Sequence, residues 1–95
     1  MSEIRDRLAE NHGEDLLFLD PDWQFDPAIV GVADRCGMEA VVVYDRQEVI
    51  EALIRDGLNE EEAMEFADFN VFGAYVGSRT PIYIDFLPKD ANDAR

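Results

Sequence analysis

The hydrophobic and polar positions change from helical to extended spacing along the chain, and their order predicts an α+β fold. Apolar residues at helical spacing predict a short first helix from Glu3 to about Asn11. Two β-branched runs, at 28–33 and 40–44, then predict a β-hairpin, in which Gly37 supplies the positive φ of the connection. Gly31, inside the first of these strands, indicates a β-bulge or a close approach by a neighbouring backbone.

Two helix-capping signals in succession predict a pair of helices after the hairpin. In the first, Asp45 followed by Glu48 has the spacing of a capping box, and Gly57 stands where that helix should end. In the second, Asn59 is the cap and Glu62 its partner at the third helical position, in a helix that runs to about Asn70. Residues at helical spacing in this second helix are predicted to face inward: Ala63, Phe66, Ala67 and Asn70.

The alternating segment 80–86 (TPIYIDF) predicts the last strand, with one face buried. Its inward positions are Ile82, Ile84 and Phe86. The predicted order is therefore α-β-β-α-α-β, a three-stranded antiparallel sheet packed on the helix pair. We divide this single domain into an N-terminal helix and connector at 1–24, an α+β core at 25–86 and a disordered tail at 87–95.

Acidic residues outnumber basic ones by 22 to 8, which gives a formal net charge of −14. Such a field repels nucleic acids and anionic membranes, so neither is an expected direct partner, and it attracts proteins with basic surfaces. Adaptation to a salt-rich cytoplasm, genome composition and plain solubility remain alternative explanations. The candidate acidic docking face consists of carboxylates on the helix pair: Glu48, Glu51, Asp56, Glu60, Glu61, Glu65 and Asp68.

Cysteine content and the N-terminal sequence favour a cytoplasmic protein. Cys36 is the only cysteine, so no disulfide can form within the chain. No apolar run approaches the ~18 residues of a membrane span, and the N-terminus lacks the order of a signal peptide. A homo-oligomer stays open if the sheet has an uncovered edge.

The residues needed for catalysis or for a metal site are not found in a suitable pattern. Asp20, Asp22, Gln24 and Asp26 alternate as in a calcium loop, but the glycine and glutamate that such a loop requires are missing. Nothing in the sequence brings Cys36 together with the single histidine, His12, as a catalytic pair. We therefore predict no metal, no cofactor and no enzymatic activity.

Hydrogen-bonding side chains near the second helix and the last strand form a candidate ligand site. These residues are Tyr44, Asp45, Asn70, Tyr75 and Thr80. They include no obvious acid–base pair, which suits recognition of a ligand better than bond cleavage. The simpler interpretation of this segment is a tight turn that links helix to strand.

Four short motifs together resemble a family of small uncharacterised proteins encoded by phages and prophages. They are FDPAIVGV at 25–32, YD at 44–45, EEA at 61–63 and N-x-x-GAYVG-x-x-TP at 70–81. The family has no agreed activity, so the resemblance implies a context: a dispensable protein that modulates its host, for example by inhibiting a defence complex or sequestering a signal nucleotide. It also implies a candidate functional cluster at the matching positions: Tyr44, Asp45, Asn70, Gly73, Tyr75, Gly77, Thr80 and Pro81.

Three functional hypotheses follow. The first is a non-catalytic accessory protein, of phage or prophage type, that binds a host macromolecule through its acidic surface and inhibits a nucleic-acid-handling or defence protein. Such a protein would act in the host cytoplasm. The second is a protein that binds or sequesters a small ligand or nucleotide. The third is a salt-adapted small protein with an ordinary cellular role.

Overall fold

The structure, a computed structural model, describes residues 3–87 and forms a three-stranded sheet with four α-helices. The helices are α1 (Glu3–His12), α2 (Asp22–Phe25), α3 (Arg46–Arg55) and α4 (Glu60–Ala67). A 3-10 turn (Asp26–Ala28) follows α2, and a π-helical turn (Asp68–Phe72) follows α4. The strands are β1 (Ile29–Ala33), β2 (Val41–Asp45) and β3 (Ile82–Ile84). Residues 88–95 of the predicted tail lie outside the described residues.

The sheet is mixed, which corrects the prediction of a purely antiparallel sheet. Its strand order is β1-β2-β3; β1 pairs antiparallel with β2, whereas β3 pairs parallel with β2. A parallel pair needs a long crossover between its strands. Here α3, α4 and the loop at 73–81 form that crossover, and Arg79 Nη1 donates a hydrogen bond to the carbonyl of Ala40, just before β2 begins (3.0 Å). The helical turn α2, where the predicted connector meets the predicted core, is an element that the predicted order lacks.

The predicted hairpin forms, and its two glycines have the backbone features that the sequence indicated. Ile29 pairs with Tyr44 and Gly31 pairs with Val43, so β1 contains one extra residue at a bulge. Gly37 adopts a φ of 82° in the loop between the strands. This left-handed conformation favours glycine over any residue with a Cβ.

Local hydrogen bonds fix the ends of the helix pair. The Asp45 carboxylate accepts from the backbone N–H groups of residues 47 and 48, which caps α3. At the other end, Gly57 N–H donates to Ile54 O (3.0 Å) and Leu58 N–H to Leu53 O (3.3 Å), as in a Schellman motif. The full capping box forms at the start of α4, where the side chain and backbone of Asn59 bond reciprocally with those of Glu62.

The inward face of α4 differs from the predicted stripe. Ala63, Ala67 and Val71 are buried, whereas Phe66 is 44% exposed and Asn70 is exposed. Small alanine side chains let a helix pack closely on its neighbours. The π-helical turn then changes the angular spacing of the residues after Ala67, so that Val71 completes the buried side.

The alternation of β3 is the reverse of the predicted one. Its parallel register places Tyr83 beside Tyr44, on the face of the sheet that packs against the helices. The Tyr83 ring lies 6.0 Å from the Tyr44 ring and 4.7 Å, edge-on, from the Phe72 ring. Because side chains alternate along a strand, Ile82 points to the opposite face and is exposed, and Phe86 beyond the strand is exposed as well.

The helix-facing side of the sheet and the helices share one buried cluster. It includes Val42 and Tyr44 from β2, Val49 and Leu53 from α3, and Leu16 from the connector after α1. No helix within residues 3–87 has both the length and the apolar character needed to cross a bilayer.

Candidate functional site

The predicted ligand residues at the end of β2, Tyr44 and Asp45, already make structural contacts. Tyr44 is fully buried, and its hydroxyl oxygen accepts a hydrogen bond from the Leu19 N–H (2.7 Å). Burial raises the pKa of the Tyr44 hydroxyl to about 12. Asp45 is the N-cap of α3. Tyr44 therefore has no free surface for a ligand, and the carboxylate of Asp45 already accepts two backbone hydrogen bonds.

The predicted ligand residues of the segment 73–81 shape a tight turn. The Thr80 hydroxyl accepts from the Val76 N–H (2.9 Å) and donates to the Gly77 carbonyl (2.6 Å). Gly77 has a φ of 113°, and Pro81 is buried. A Cβ on Gly73 would lie 2.6 Å from the carbonyl oxygen of Asp68, so a glycine is needed where the chain leaves the π-helical turn.

A cleft of about 440 Å³, here called the loop cleft, lies between the β1–β2 connection and the turn at 75–80. Tyr75, Gly77 and Thr80 line it, so the structure brings these three predicted ligand residues together; Tyr44, Asp45 and Asn70 are not part of its lining. Met38, Val41 and Ile82 supply apolar surface.

The two loops that form the loop cleft are tied together through Glu39. Its carboxylate accepts a hydrogen bond from the Ser78 hydroxyl and pairs with the Arg79 guanidinium (3.5 Å). These contacts link residues far apart in sequence, since Glu39 precedes β2 and residues 78 and 79 precede β3. They connect two segments whose proximity the sequence did not predict.

A second concave surface of about 330 Å³ runs along the outer side of α4 and its π-helical turn. This surface, here called the α4 groove, is lined by Leu58, Glu61, Glu62, Glu65, Phe66, Phe69 and Asn70. Phe69 is 78% exposed. Asn70 Nδ2 donates to the Phe66 carbonyl (3.1 Å), which ties the polar side chain to the helix backbone.

Sequence reasoning identified only part of the α4 groove. Glu61 and Glu65 belong to the predicted docking face and Asn70 to the predicted ligand residues, but Phe66 was assigned to the core and Phe69 was not singled out. A usable signal was present: residues 58, 61–62, 65–66 and 69–70 recur every three or four positions, as on one side of a helix. This second stripe mixes apolar and acidic residues, so it does not stand out as an amphipathic face.

The predicted acidic docking face lies at the surface, and its members differ in how far they are compensated. Asp68 pairs with Arg46 (3.2 Å), and Glu51 accepts a hydrogen bond from Gln47 (3.0 Å). Among residues 3–87, Glu61 and Glu65 have no cationic partner within ion-pair distance. Glu48, Asp56 and Glu60 have none either, so the uncompensated negative charge is spread over the helix pair. Glu61 and Glu65 are the part of it that lies beside the exposed aromatic rings of the α4 groove.

The alternating carboxylates before β1 serve an internal ion pair. Arg5 Nε contacts both carboxylate oxygens of Asp26 (2.9 and 3.0 Å), and Arg5 Nη1 contacts Asp20 (3.2 Å). The guanidinium also lies 4.7 Å from the centre of the Phe18 ring. Asp26 is the one buried charged residue of the described chain, and this arginine neutralises it.

Within residues 3–87 no group of three or more histidine, cysteine, aspartate or glutamate side chains is arranged to hold a metal ion. Cys36 is exposed in the β1–β2 connection, and His12 is the last residue of α1.

Comparison with protein-family models, curated proteins and solved structures gives no match to this chain. A smaller hollow of about 200 Å³ lies beside Trp23 and Arg55; the loop cleft and the α4 groove are the larger surfaces, and they contain predicted site residues.

Proposed function

We propose that this protein acts without catalysis, by docking its acidic surface on a basic surface of a protein partner. The observation that carries this proposal is the uncompensated charge of Glu61 and Glu65 beside exposed aromatic side chains, in a chain with a net charge of −14. Charged and aromatic groups side by side are typical of protein interfaces, in which aromatic anchors supply affinity and surrounding charges select the partner.

The charge also determines the kinetics expected of such binding. Opposite charges steer two proteins toward productive encounters and raise the association rate at low ionic strength. Screening shortens the range of this attraction to about 8 Å at physiological salt and to a few ångströms near 1 M. Binding through this surface should therefore weaken as salt rises.

The partner class follows from the same electrostatics. Extended basic surfaces are commonest on proteins that bind nucleic acid, because those proteins must neutralise phosphates. The proposed partner is accordingly a host protein that handles nucleic acid or acts in defence. The phage- or prophage-type motifs in the sequence supply the context in which inhibition of such a protein would be useful.

The test is affinity capture of the tagged full-length chain from host lysate at about 0.1 M and 0.5 M salt, with mass spectrometry as the readout. We expect one stoichiometric partner that is retained at low salt and lost at high salt. The double variant Glu61→Gln/Glu65→Gln should bind the purified partner about two- to tenfold more weakly. Its matched control, Glu10→Gln/Glu14→Gln, removes the same charge from the α1 region and should bind more nearly as the parent chain does. Capture of no protein at either salt would refute the proposal.

The loop cleft supports a second candidate function, binding of a small ligand. Its volume of about 440 Å³ lies in the range of ligand pockets, and Tyr75, 80% exposed, offers an aromatic face at its rim. Thermal-shift measurements with a nucleotide panel test this candidate, with Tyr75→Ala as the matched variant. A shift at millimolar ligand that Tyr75→Ala abolishes would support it, and the absence of any shift would count against it.

A further inference from the structure

From its geometry we infer that the α4 groove binds an arginine-bearing amphipathic helix of the partner protein. This inference rests on the proposed docking function and names the recognition element. The groove offers apolar surface from Leu58, Phe66 and Phe69 and carboxylates from Glu61 and Glu65 along the same side of one helix. An occupant must therefore present apolar and cationic side chains together, also along one side.

The chain itself holds arginine with this combination of groups at two other places. The Arg46 guanidinium lies 4.1 Å from the centre of the Phe72 ring and contacts Asp68 (3.2 Å) and Asp85 (3.8 Å). Here the cation stacks on an aromatic face while two carboxylates surround its edge. Both interactions are favourable, and arginine alone among the cationic side chains has the planar fork that makes them together.

Arg5, in α1, repeats the arrangement. Its guanidinium lies over the Phe18 ring and bonds to Asp20 and Asp26. Two independent arginine sites built from one phenylalanine and two acids show that this set of side chains accommodates a guanidinium. Lysine, a compact ammonium on a flexible stem, matches such a site less well.

The α4 groove contains the same groups without an arginine. Glu61, Glu65 and Phe69 follow one another at intervals of four residues, so they lie on one side of the helical segment. Within residues 3–87 no arginine lies over the Phe66 or Phe69 ring or pairs with either glutamate. The α4 groove can therefore accept an arginine from another molecule.

The shape of the groove and its charge select the class of occupant. The eight residues of α4 rise about 12 Å, which is about two turns of a docked helix, and the π-helical turn extends the groove beyond that length. Nucleic acid is repelled by the carboxylates. A purely polar basic peptide leaves Leu58 and the phenylalanine rings uncovered, so an amphipathic helix fits the surface best.

The test uses the full-length chain and a fluorescein-labelled amphipathic helical peptide that carries arginines beside a leucine stripe. Fluorescence anisotropy at about 0.1 M salt reports the dissociation constant. We expect Phe69→Ala to weaken binding about five- to tenfold and Trp23→Ala, which removes a comparably exposed aromatic ring from α2, to change it less than twofold. Replacement of the peptide arginines by lysine should weaken binding severalfold.

The outcomes separate this inference from the proposed function. If Glu61→Gln/Glu65→Gln weakens binding but Phe69→Ala and the lysine peptide bind as well as the originals, the acidic surface is used and the arginine groove is refuted. If neither this peptide nor any captured partner binds, the docking function itself fails. If a chain ending at Leu87 binds the peptide much more tightly than the full chain, residues 88–95 occupy the groove, and a partner helix is not its natural ligand.

Discussion

Removal of the Arg5 side chain should cost this protein a large share of its stability. None of the α1 residues is fully buried, so packing alone gives this helix little to hold it on the sheet. The Arg5 side chain is 22% exposed and that of Asp26 9% exposed, and Arg5 Nε lies 2.9 Å from the Asp26 carboxylate. Breaking a buried ion pair by removing one partner typically costs about 3–5 kcal/mol, because the remaining charge stays buried without a partner.

The partial exposure of Arg5 lets water reach the pair, so we place the cost of Arg5→Leu near the lower end, at about 3 kcal/mol. Urea unfolding followed by circular dichroism measures the free energy of unfolding. The matched control is Arg7→Leu, because Arg7 is 74% exposed and lies 4.0 Å from Glu3; we expect a cost below about 0.5 kcal/mol.

A double-mutant cycle with Asp26→Leu decides whether the pair itself is responsible. If the pair is coupled, the double variant should be more stable than the sum of the single effects predicts, since neither buried charge is then left alone. A cost for Arg5→Leu no larger than that for Arg7→Leu would refute the reasoning, and α1 would then be held by its apolar contacts.

Three further measurements test separate parts of the structure. Because burial raises the pKa of Tyr44 to about 12 from 10.0, its contribution to stability should be complete below pH 10. It should be lost as pH rises through 12, by about 2.7 kcal/mol at most. Unfolding across this range should show a smaller loss for Tyr44→Phe than for the parent chain, since the variant keeps only the loss from Tyr83, whose pKa burial also raises. Gly73→Ala should destabilise by about 1–3 kcal/mol in urea, since its Cβ would lie 2.6 Å from the Asp68 carbonyl oxygen, and a neutral substitution would contradict the close approach. If acidity reflects adaptation to salt, the melting temperature should rise markedly up to molar KCl, whereas maximal stability in dilute buffer would exclude that explanation.

The features that sequence predicted well are those decided within a few residues. The capping box of Asn59 and Glu62, the helix end at Gly57 and the turn at Gly37 all form as expected. Each depends on a side chain or a backbone conformation that acts on its immediate neighbours. Such signals can be recognised without knowledge of the rest of the fold.

The direction of β3 depends on the whole chain and could not be predicted in the same way. Its alternation is compatible with either face, and a one-residue change in register exchanges the two faces. The parallel pairing with β2 places Tyr83 against Tyr44 and Phe72, so an amphipathic tyrosine, rather than an isoleucine, faces the helices. Only the path of the crossover decides which face of β3 packs against the helices.

For the α4 groove, the sequence predicted the exposed acidic residues but not the exposed aromatic ones. The exposure of Glu61 and Glu65 follows from their polarity. The exposure of Phe66 follows instead from the alanines that occupy the buried side of α4 and from the π-helical turn beyond them. A phenylalanine at helical spacing usually belongs to the core. Here the packing of the alanines places Phe66 at the surface instead.

The exposed rings also bear on two explanations of the acidity, adaptation to a salt-rich cytoplasm and binding of a basic partner. Carboxylates spread over a surface suit a salt-rich solvent, and an acidic composition by itself supports that explanation as well as it supports a basic partner. A phenylalanine that is 78% exposed does not fit the first explanation, because excluded salts strengthen the tendency of apolar surface to associate. Placed beside Phe66 and one helical turn beyond Glu65, Phe69 is costly in solution and useful in an interface. A chain selected only for solubility in salt gains nothing from this pair of rings, whereas a chain selected to hold an arginine-bearing helix needs both the rings and the acids.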